Sequence, residues 1–268
     1  MKFVAALVLA GALLLGGWKA IVHKSNLRPA LVTPSTDVHL EFSDDALARV
    51  YRATHETLAA DRSGRPKLIA LTFDDGPYPV FTPMLLDELH DLRVPATFFL
   101  IGQDARQWPE LTRRIETMGN EVADHTYTHP NLDEETAEQV RREILTGGSV
   151  LWGLTHDPAT RTLMRPPHGR YTEQTLRVAQ SIGYTVVLWT DDGGDWRTLT
   201  AEQIDRQVLG HATAPEIVLL HSGKLATIQA LPSIVARFEK AGYSFVTVGT
   251  LLSHVTAGDL NHPLKRSV

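Results

Sequence analysis

The sequence predicts an α/β fold in which parallel strands, each followed by a helix, curl into a barrel. Three observations predict it. Short apolar runs alternate with segments of helical spacing from Leu68 to Val248, and such alternation indicates parallel βα units. There are about six or seven of these units, more than a small doubly wound domain holds and fewer than in a typical (β/α)8 barrel. Finally, Asp74-Asp75, His125, Arg165, Asp192 to Trp196 and His221 each come just after a strand candidate. A parallel barrel gathers all its strand C-termini on one rim, so residues far apart in the chain would converge there.

Taken in order, the chain opens on Lys2, an apolar run from Phe3 to Gly17, then Trp18 and Lys19. A short basic start before such a run reads as an export signal. Ala10-Gly11-Ala12 has small residues at cleavage spacing but lies inside the apolar run, so a cleaved peptide and an uncleaved anchor both stand open. Residues from Asn26 to Asp37, with Pro29 and Pro34, read as a linker. Ser43-Asp44-Asp45 then opens a helical segment, with Leu47, Val50, Tyr51 and Leu58 near one face. Ser63-Gly64-Arg65-Pro66 ends it.

Strands are expected at Leu68 to Phe73, Ala96 to Ile101, Glu121 to Ala123, Thr162 to Met164, Thr185 to Leu188, Ile217 to Leu220 and Ser244 to Val248. Helices are expected at Thr82 to Leu92, Pro109 to Met118, Glu134 to Leu154, Thr172 to Ile182, Ala201 to Leu209 and Ala226 to Ala241.

Composition narrows the function. With 268 residues and 43% apolar content the chain can bury a core without disulfides. A net charge of -5 gives no case for nucleic-acid binding, which normally shows a basic patch or stripe. There is no cysteine, so thiolate metal sites and cysteine nucleophiles are excluded and any metal must use His, Asp or Glu.

Five segments carry candidate chemistry. In Thr72-Phe73-Asp74-Asp75-Gly76-Pro77, two adjacent carboxylates at a strand end are costly to hold unless a cation is near; alone, the segment reads equally as a turn. In Asp124-His125-Thr126-Tyr127-Thr128-His129-Pro130, two histidines at i and i+4 would share one face of a helical turn and reach one ion. Asp75 with His125 and His129 would make a two-His, one-carboxylate set that leaves positions open. Arg165-Pro166-Pro167-His168-Gly169-Arg170 is a rigid loop whose Arg165 could pair with Asp74 and hold it ionised. Trp189 to Trp196 sets acids and indoles around a glycine pair, which suits a sugar site. His221, at the end of a buried strand, is either structural or placed as a general acid.

These five segments, in this order, resemble the polysaccharide deacetylase family (the NodB homology domain, carbohydrate esterase family four) over roughly Lys67 to Leu252. The matches are Thr72 to Pro77, His125 to His129, Arg165 to Gly169, Asp192 to Trp196 and Leu219 to His221. The resemblance implies a distorted (β/α)7 barrel and a divalent metal, zinc first, with cobalt, nickel or manganese as the other candidates. It implies Asp75, His125 and His129 as ligands, Asp74 as general base tuned by Arg165, and His221 as general acid oriented by Asp195. Trp196 and Leu219 would line the acetyl and sugar pocket, and the backbone N–H of His168 would help hold the oxyanion. Two positions depart from the family pattern. His168 stands where Tyr or Phe is usual, which changes the pocket wall, and Ser222 stands where Asp often follows the histidine.

The resulting expectation is an exported deacetylase of an N-acetylated polysaccharide. Its place is the periplasm, cell envelope or extracellular space, peptidoglycan is its first substrate, and it acts as a monomer. Residues 1–23 would be signal peptide or anchor, 24–66 linker and N-terminal helix, 67–255 catalytic domain and 256–268 tail. Chitin-type oligomers remain open as substrates. The competing readings are an O-acetyl esterase on xylan or an exopolysaccharide, an inactive saccharide-binding protein, and a magnesium phosphoryl-transfer site.

Overall fold

The structure, a computed structural model, describes residues 67–210 and 215–260, with the side chains of 209, 210 and 255–260 excepted. The expected leader or anchor (1–23), linker and first helix (24–66), and the last residues of the expected tail lie outside these. Among the described residues no helix is long and apolar enough to cross a membrane.

In chain order the elements are β1 (Lys67–Asp74), α1 (Phe81–Leu92), β2 (Ala96–Leu100), α2 (Gly102–Gln107), α3 (Pro109–Thr117), β3 (Glu121–Asp124), α4 (Ala137–Thr155), β4 (Leu163–Met164), α5 (Glu173–Ser181), β5 (Thr185–Val186), β6 (Asp191–Asp192), α6 (Ala201–Gly210), β7 (Glu216–His221), α7 (Leu225–Lys240), β8 (Tyr243–Phe245) and α8 (Val248–Leu260). Short 3-10 turns sit at Pro158–Arg161 and Pro167–Gly169. All pairings are parallel, in the order β5-β4-β3-β2-β1-β7-β6, with β8 on β1. No pairing joins β5 to β6 among the described residues, so the expected barrel is present in distorted, open form.

The sheet is buried on both sides, which is why β1 reads as a continuous apolar run. Alternation sorts its side chains. Ile69, Leu71 and Phe73 pack in the cluster that includes Leu85, Leu86 and Leu89 of α1 and Leu231, Ile234 and Phe238 of α7. Leu68 and Ala70 join Phe99, Ala123, Val187 and Ile217 in the second, inner cluster. Each buried Leu, Ile or Phe contributes about 1.5–3 kcal/mol. The same alternation turns Thr72 and Asp74 inward at the top of the strand.

Several expectations need correction. The helix expected from Glu134 begins at Ala137, because Thr136 caps it in a reciprocal capping box with Gln139. The short α2 and β6 have no counterpart among the expected elements. The expected strand from Thr185 stops at Val186. Beyond it the Val187 and Leu188 carbonyls accept from Arg165 Nε and Nη2, both at 3.2 Å, instead of from a strand. The expected strand to Val248 stops at Phe245, and Val248 starts α8. Thr97 Oγ1 accepts the Val248 N–H (2.9 Å) and Glu121 accepts the Gly249 N–H (3.1 Å to Oε2). These capping groups come from β2 and β3, so the local apolar, β-branched pattern around Val246 gave no sign of them.

Candidate active site

The rim is built around the end of β1. Asp74 is 4% exposed and lies beside His221 in the β1–β7 ladder. The chain then turns through two left-handed residues, Asp75 (φ 70°) and Gly76 (φ 74°). A Cβ on Gly76 would lie 2.9 Å from Ser222 Oγ and 3.1 Å from the Tyr78 nitrogen, so glycine is required twice over. Ser222 secures the turn from β7: its N–H donates to the Asp74 carbonyl (3.1 Å) and its hydroxyl to the Asp75 carbonyl (3.0 Å).

Arg165, just after β4, is the largest fully buried side chain among the described residues. Its Nη1 donates to Asp74 Oδ1 at 2.7 Å and to Thr72 Oγ1 at 2.8 Å, and its guanidinium lies 4.1 Å from the Phe99 ring centroid. With the Val187 and Leu188 carbonyls this gives every face of the fork a partner, which a buried cation demands. Burial pushes the Asp74 carboxyl above its ordinary value, and Arg165 and then His221 pull it back without cancelling the rise. Arg165 therefore offsets burial rather than simply holding Asp74 ionised. A carboxylate with a raised pKa is the stronger base.

His125 and His129 do converge, but not on a helical turn as their spacing suggested. They follow β3 on an irregular loop in which Thr126 (φ 69°) and His129 (φ 63°) are left-handed. His129 Nε2 is 3.3 Å and His125 Nε2 3.7 Å from the same atom, Asp75 Oδ1. The three ligand atoms lie within 4.8 Å of one another. His125 Nδ1 is 2.8 Å from the Arg165 carbonyl, which can only accept, so Nδ1 carries the proton and Nε2 presents its lone pair. Burial pushes His125 down to about 3 against the pull of Asp75, keeping the imidazole neutral as a ligand must be.

Whether these residues suit a cation is answered by Asp75 Oδ1. This oxygen is buried and accepts no hydrogen bond, although a buried carboxylate oxygen without a partner is costly. A divalent ion among the two imidazoles and this oxygen removes that cost, and two nitrogens with one oxygen is a donor set that zinc accepts.

On the other side of Asp74, His221 Nδ1 is 2.7 Å from Asp195 Oδ1, and Asp195 Oδ2 accepts the His221 N–H (2.8 Å) and the Thr227 hydroxyl (2.6 Å). Asp195 is 2% exposed. Burial pushes the His221 imidazolium down, but the Asp195 hydrogen bond and charge outweigh it and the net shift is upward. The Nδ1–H to carboxylate bond leaves Nε2 as the proton-donating end.

The remaining expected residues spread along the rim. Leu219 is buried in β7, in register with Thr72 and Asp192. Trp196 is 57% exposed, with its Nε1 donating to Asp192 Oδ2 at 3.1 Å and Arg197 stacked 5.4 Å away. His168 is exposed and left-handed (φ 57°), with its ring edge-on to His129 at 4.7 Å. Asn131 Nδ2 donates to Glu134, so its Oδ1 faces His168 Nδ1 at 2.9 Å and fixes the proton there.

Sequence reasoning missed the residues that support this site. Thr72 shares Arg165 with Asp74. Glu143 of α4 reaches the histidine loop. Gly147 lets α4 approach that loop: a Cβ there would run into Asp124 Oδ1 and sit 2.9 Å from the Thr126 carbonyl carbon. The Gly147-Gly148 pair inside a long helix was the readable signal, since each glycine costs about 1 kcal/mol against alanine and needs a reason.

Comparison with known proteins places the chain among its relatives. The profile of the family described as polysaccharide deacetylase matches residues 61–187. A peptidoglycan-N-acetylglucosamine deacetylase of Bacillus cereus is 36% identical over 193 residues, covering 70% of this chain and 89% of the relative. A chitooligosaccharide deacetylase of Sinorhizobium fredii is 38% identical over 167 residues, covering 62% and 77%. The crystal structure of the Bc1960 peptidoglycan N-acetylglucosamine deacetylase superposes with a TM-score of 0.67 at 34% identity, covering 70% of this chain and 88% of that one. On fold, ordered motifs and identity across most of a relative's length, the chain belongs to the polysaccharide deacetylase family.

Proposed function

We propose that the protein is a metal-dependent hydrolase that removes N-acetyl groups from an N-acetylglucosamine-containing polysaccharide and releases acetate. Peptidoglycan is its first substrate and chitin-type oligomers the second, the two classes its relatives are named for. The observation that carries the reading is the buried, unbonded Asp75 Oδ1 facing two imidazole nitrogens, beside a base paired with Arg165. Asp75, His125 and His129 would hold the ion, zinc first and cobalt, nickel or manganese as alternatives.

When bound, the ion supplies Lewis-acid polarisation of the acetamide and acidifies water. Asp74, held by Arg165, takes a proton from the attacking water. The water oxygen bonds to the acetamide carbon, and the backbone N–H of His168 helps stabilise the oxyanion. As the carbon–nitrogen bond breaks, His221 Nε2 gives its proton to the departing nitrogen, so acetate and an amine leave. Asp195 holds the His221 ring in the donating tautomer. Trp196, exposed on the rim, offers an indole face to a sugar ring, and Leu219 forms part of the wall. The protein acts outside the cytoplasm as a monomer, with residues 1–23 as leader or anchor, 67–255 as the catalytic region and 256–268 as its tail.

The test is acetate release from peptidoglycan, chito-oligosaccharides and acetylxylan, with chelator and with zinc restored. Release from the first two that disappears with chelator and returns with zinc supports the reading. Release from acetylxylan alone overturns the substrate class. Asp74→Asn and His221→Ala should each lower turnover by about 10²–10⁴ in a folded protein, and unchanged turnover in either removes that residue from the mechanism.

A further inference from the structure

Every backbone N–H from His125 to His129 has an acceptor, and these acceptors show what holds the ligand loop. His125 N–H goes to the Leu100 carbonyl (3.0 Å), Thr126 N–H to Asp124 Oδ1 (3.0 Å) and His129 N–H to Thr126 Oγ1 (3.1 Å). The two in the middle, Tyr127 (3.1 Å) and Thr128 (2.8 Å), both donate to Glu143 Oε2, and the Thr128 hydroxyl donates to Glu143 Oε1 at 3.0 Å. Glu143 thus takes three donors of the turn that separates the two histidines. On the other side, the Thr126 and Tyr127 carbonyls accept from Gly102 and Gln103 of α2, both at 2.9 Å. The loop has no helical hydrogen bonds of its own and carries two left-handed residues that are not glycine. Its shape therefore depends on these outside partners.

We propose that Glu143 is a positioning residue for the metal: by fixing the 127–128 peptides from α4 it sets the separation of His125 and His129, and so the affinity of the site. This rests on the ligand assignment proposed above. A pair of imidazoles held in place binds an ion without first ordering the loop, and loss of such outer partners typically weakens metal binding about 10–100-fold.

The experiment measures zinc affinity by chelator competition on the metal-free full-length protein, with thermal unfolding of the metal-free form as the stability reading. Glu143→Gln keeps an oxygen for both N–H groups and can donate its amide to the Thr128 hydroxyl, so its affinity should stay within about threefold of wild type. Glu143→Ala should weaken zinc about 10–100-fold while acetate release recovers as zinc is raised. Glu143→Asp, one methylene shorter and unable to reach both N–H groups, should also weaken it, and serves should the alanine variant not fold. Wild-type affinity in Glu143→Asp, or an equal loss in Glu143→Gln, overturns the proposal. His129→Ala separates the two claims. If it keeps zinc, the ligand assignment fails; if it loses zinc while Glu143→Ala and Glu143→Asp retain it, only the role of Glu143 fails.

Discussion

Gly147→Ala should destabilise the protein although alanine is the better helix former. Helix propensity alone would favour the change by about 1 kcal/mol. The position forbids it: the new methyl would run into Asp124 Oδ1 and lie 2.9 Å from the Thr126 carbonyl carbon, where carbon contacts settle near 3.5–4.0 Å. Neither neighbour is the free end of a long side chain. Asp124 is fully buried and its Oδ1 accepts the Thr126 N–H. Either α4 retreats, at an overpacking cost of about 1–3 kcal/mol, or Asp124 moves and forfeits a buried hydrogen bond, about 1–3 kcal/mol. Set against the propensity gain, the expected net loss is about 1 kcal/mol, or about 2–4 °C in Tm for a unit of this size. Gly153 in the same helix is the control. It is exposed, with nothing within 4 Å of where a methyl would sit, so Gly153→Ala should gain about 0.5–1 kcal/mol. Urea unfolding of both variants in chelator gives the two signs directly. A Gly147→Ala protein as stable as wild type, or two variants shifted equally, would refute the close approach of α4 to the histidine loop.

Four further outcomes follow from the site. In Asp195→Asn the groups that raise His221 are weakened, so its proton is lost at lower pH; the basic limb of the kcat/KM profile should move down, and an unmoved limb would separate His221 from proton donation. The same raised value stabilises the fold fully below the ordinary histidine value of about 6.5, and the contribution fades as pH rises through the raised value; Asp195→Asn should lose that acid-side advantage in thermal melts. Arg165→Met leaves Asp74 and the Val187 and Leu188 carbonyls without their donors, at a cost of about 3–5 kcal/mol in urea unfolding, and raises Asp74 further because Arg165 was lowering it. Zinc at about a thousand times its dissociation constant should stabilise the metal-free protein by about 4 kcal/mol, and His129→Ala should abolish that shift.

What the sequence made legible were the strand ends. β1, β2, β3 and β7 are long enough for their apolar runs to stand out, and Asp74, His125 and His221 lie at or just after the ends of three of them. Local pattern failed where the deciding partner was distant. The i, i+4 spacing of His125 and His129 suggested a helix, yet the left-handed angles at Thr126 and His129 depend on Asp124, Glu143 and α2. Val248 resembled strand because its capping groups, Thr97 and Glu121, lie on other strands. The capping box at Thr136 and Gln139 is different: that signal is local and legible, and it places the start of α4 correctly.

The position of β1 has a consequence for the life of the chain. One edge of this strand takes β2, its neighbour in sequence, but the other takes β7, near the end of the described residues. A premature stop or a proteolytic cut before β7 therefore removes His221 and, by the same event, bares a backbone edge along the strand that carries Asp74. Such an apolar edge invites pairing with other chains, and closing it requires contact across a long stretch of sequence, which is slow. A shortened product would keep Asp75, His125 and His129 in its covalent structure but not the covered strand that presents them. Truncation should thus yield insoluble chains for clearance rather than metal-binding fragments that occupy the substrate without turning it over.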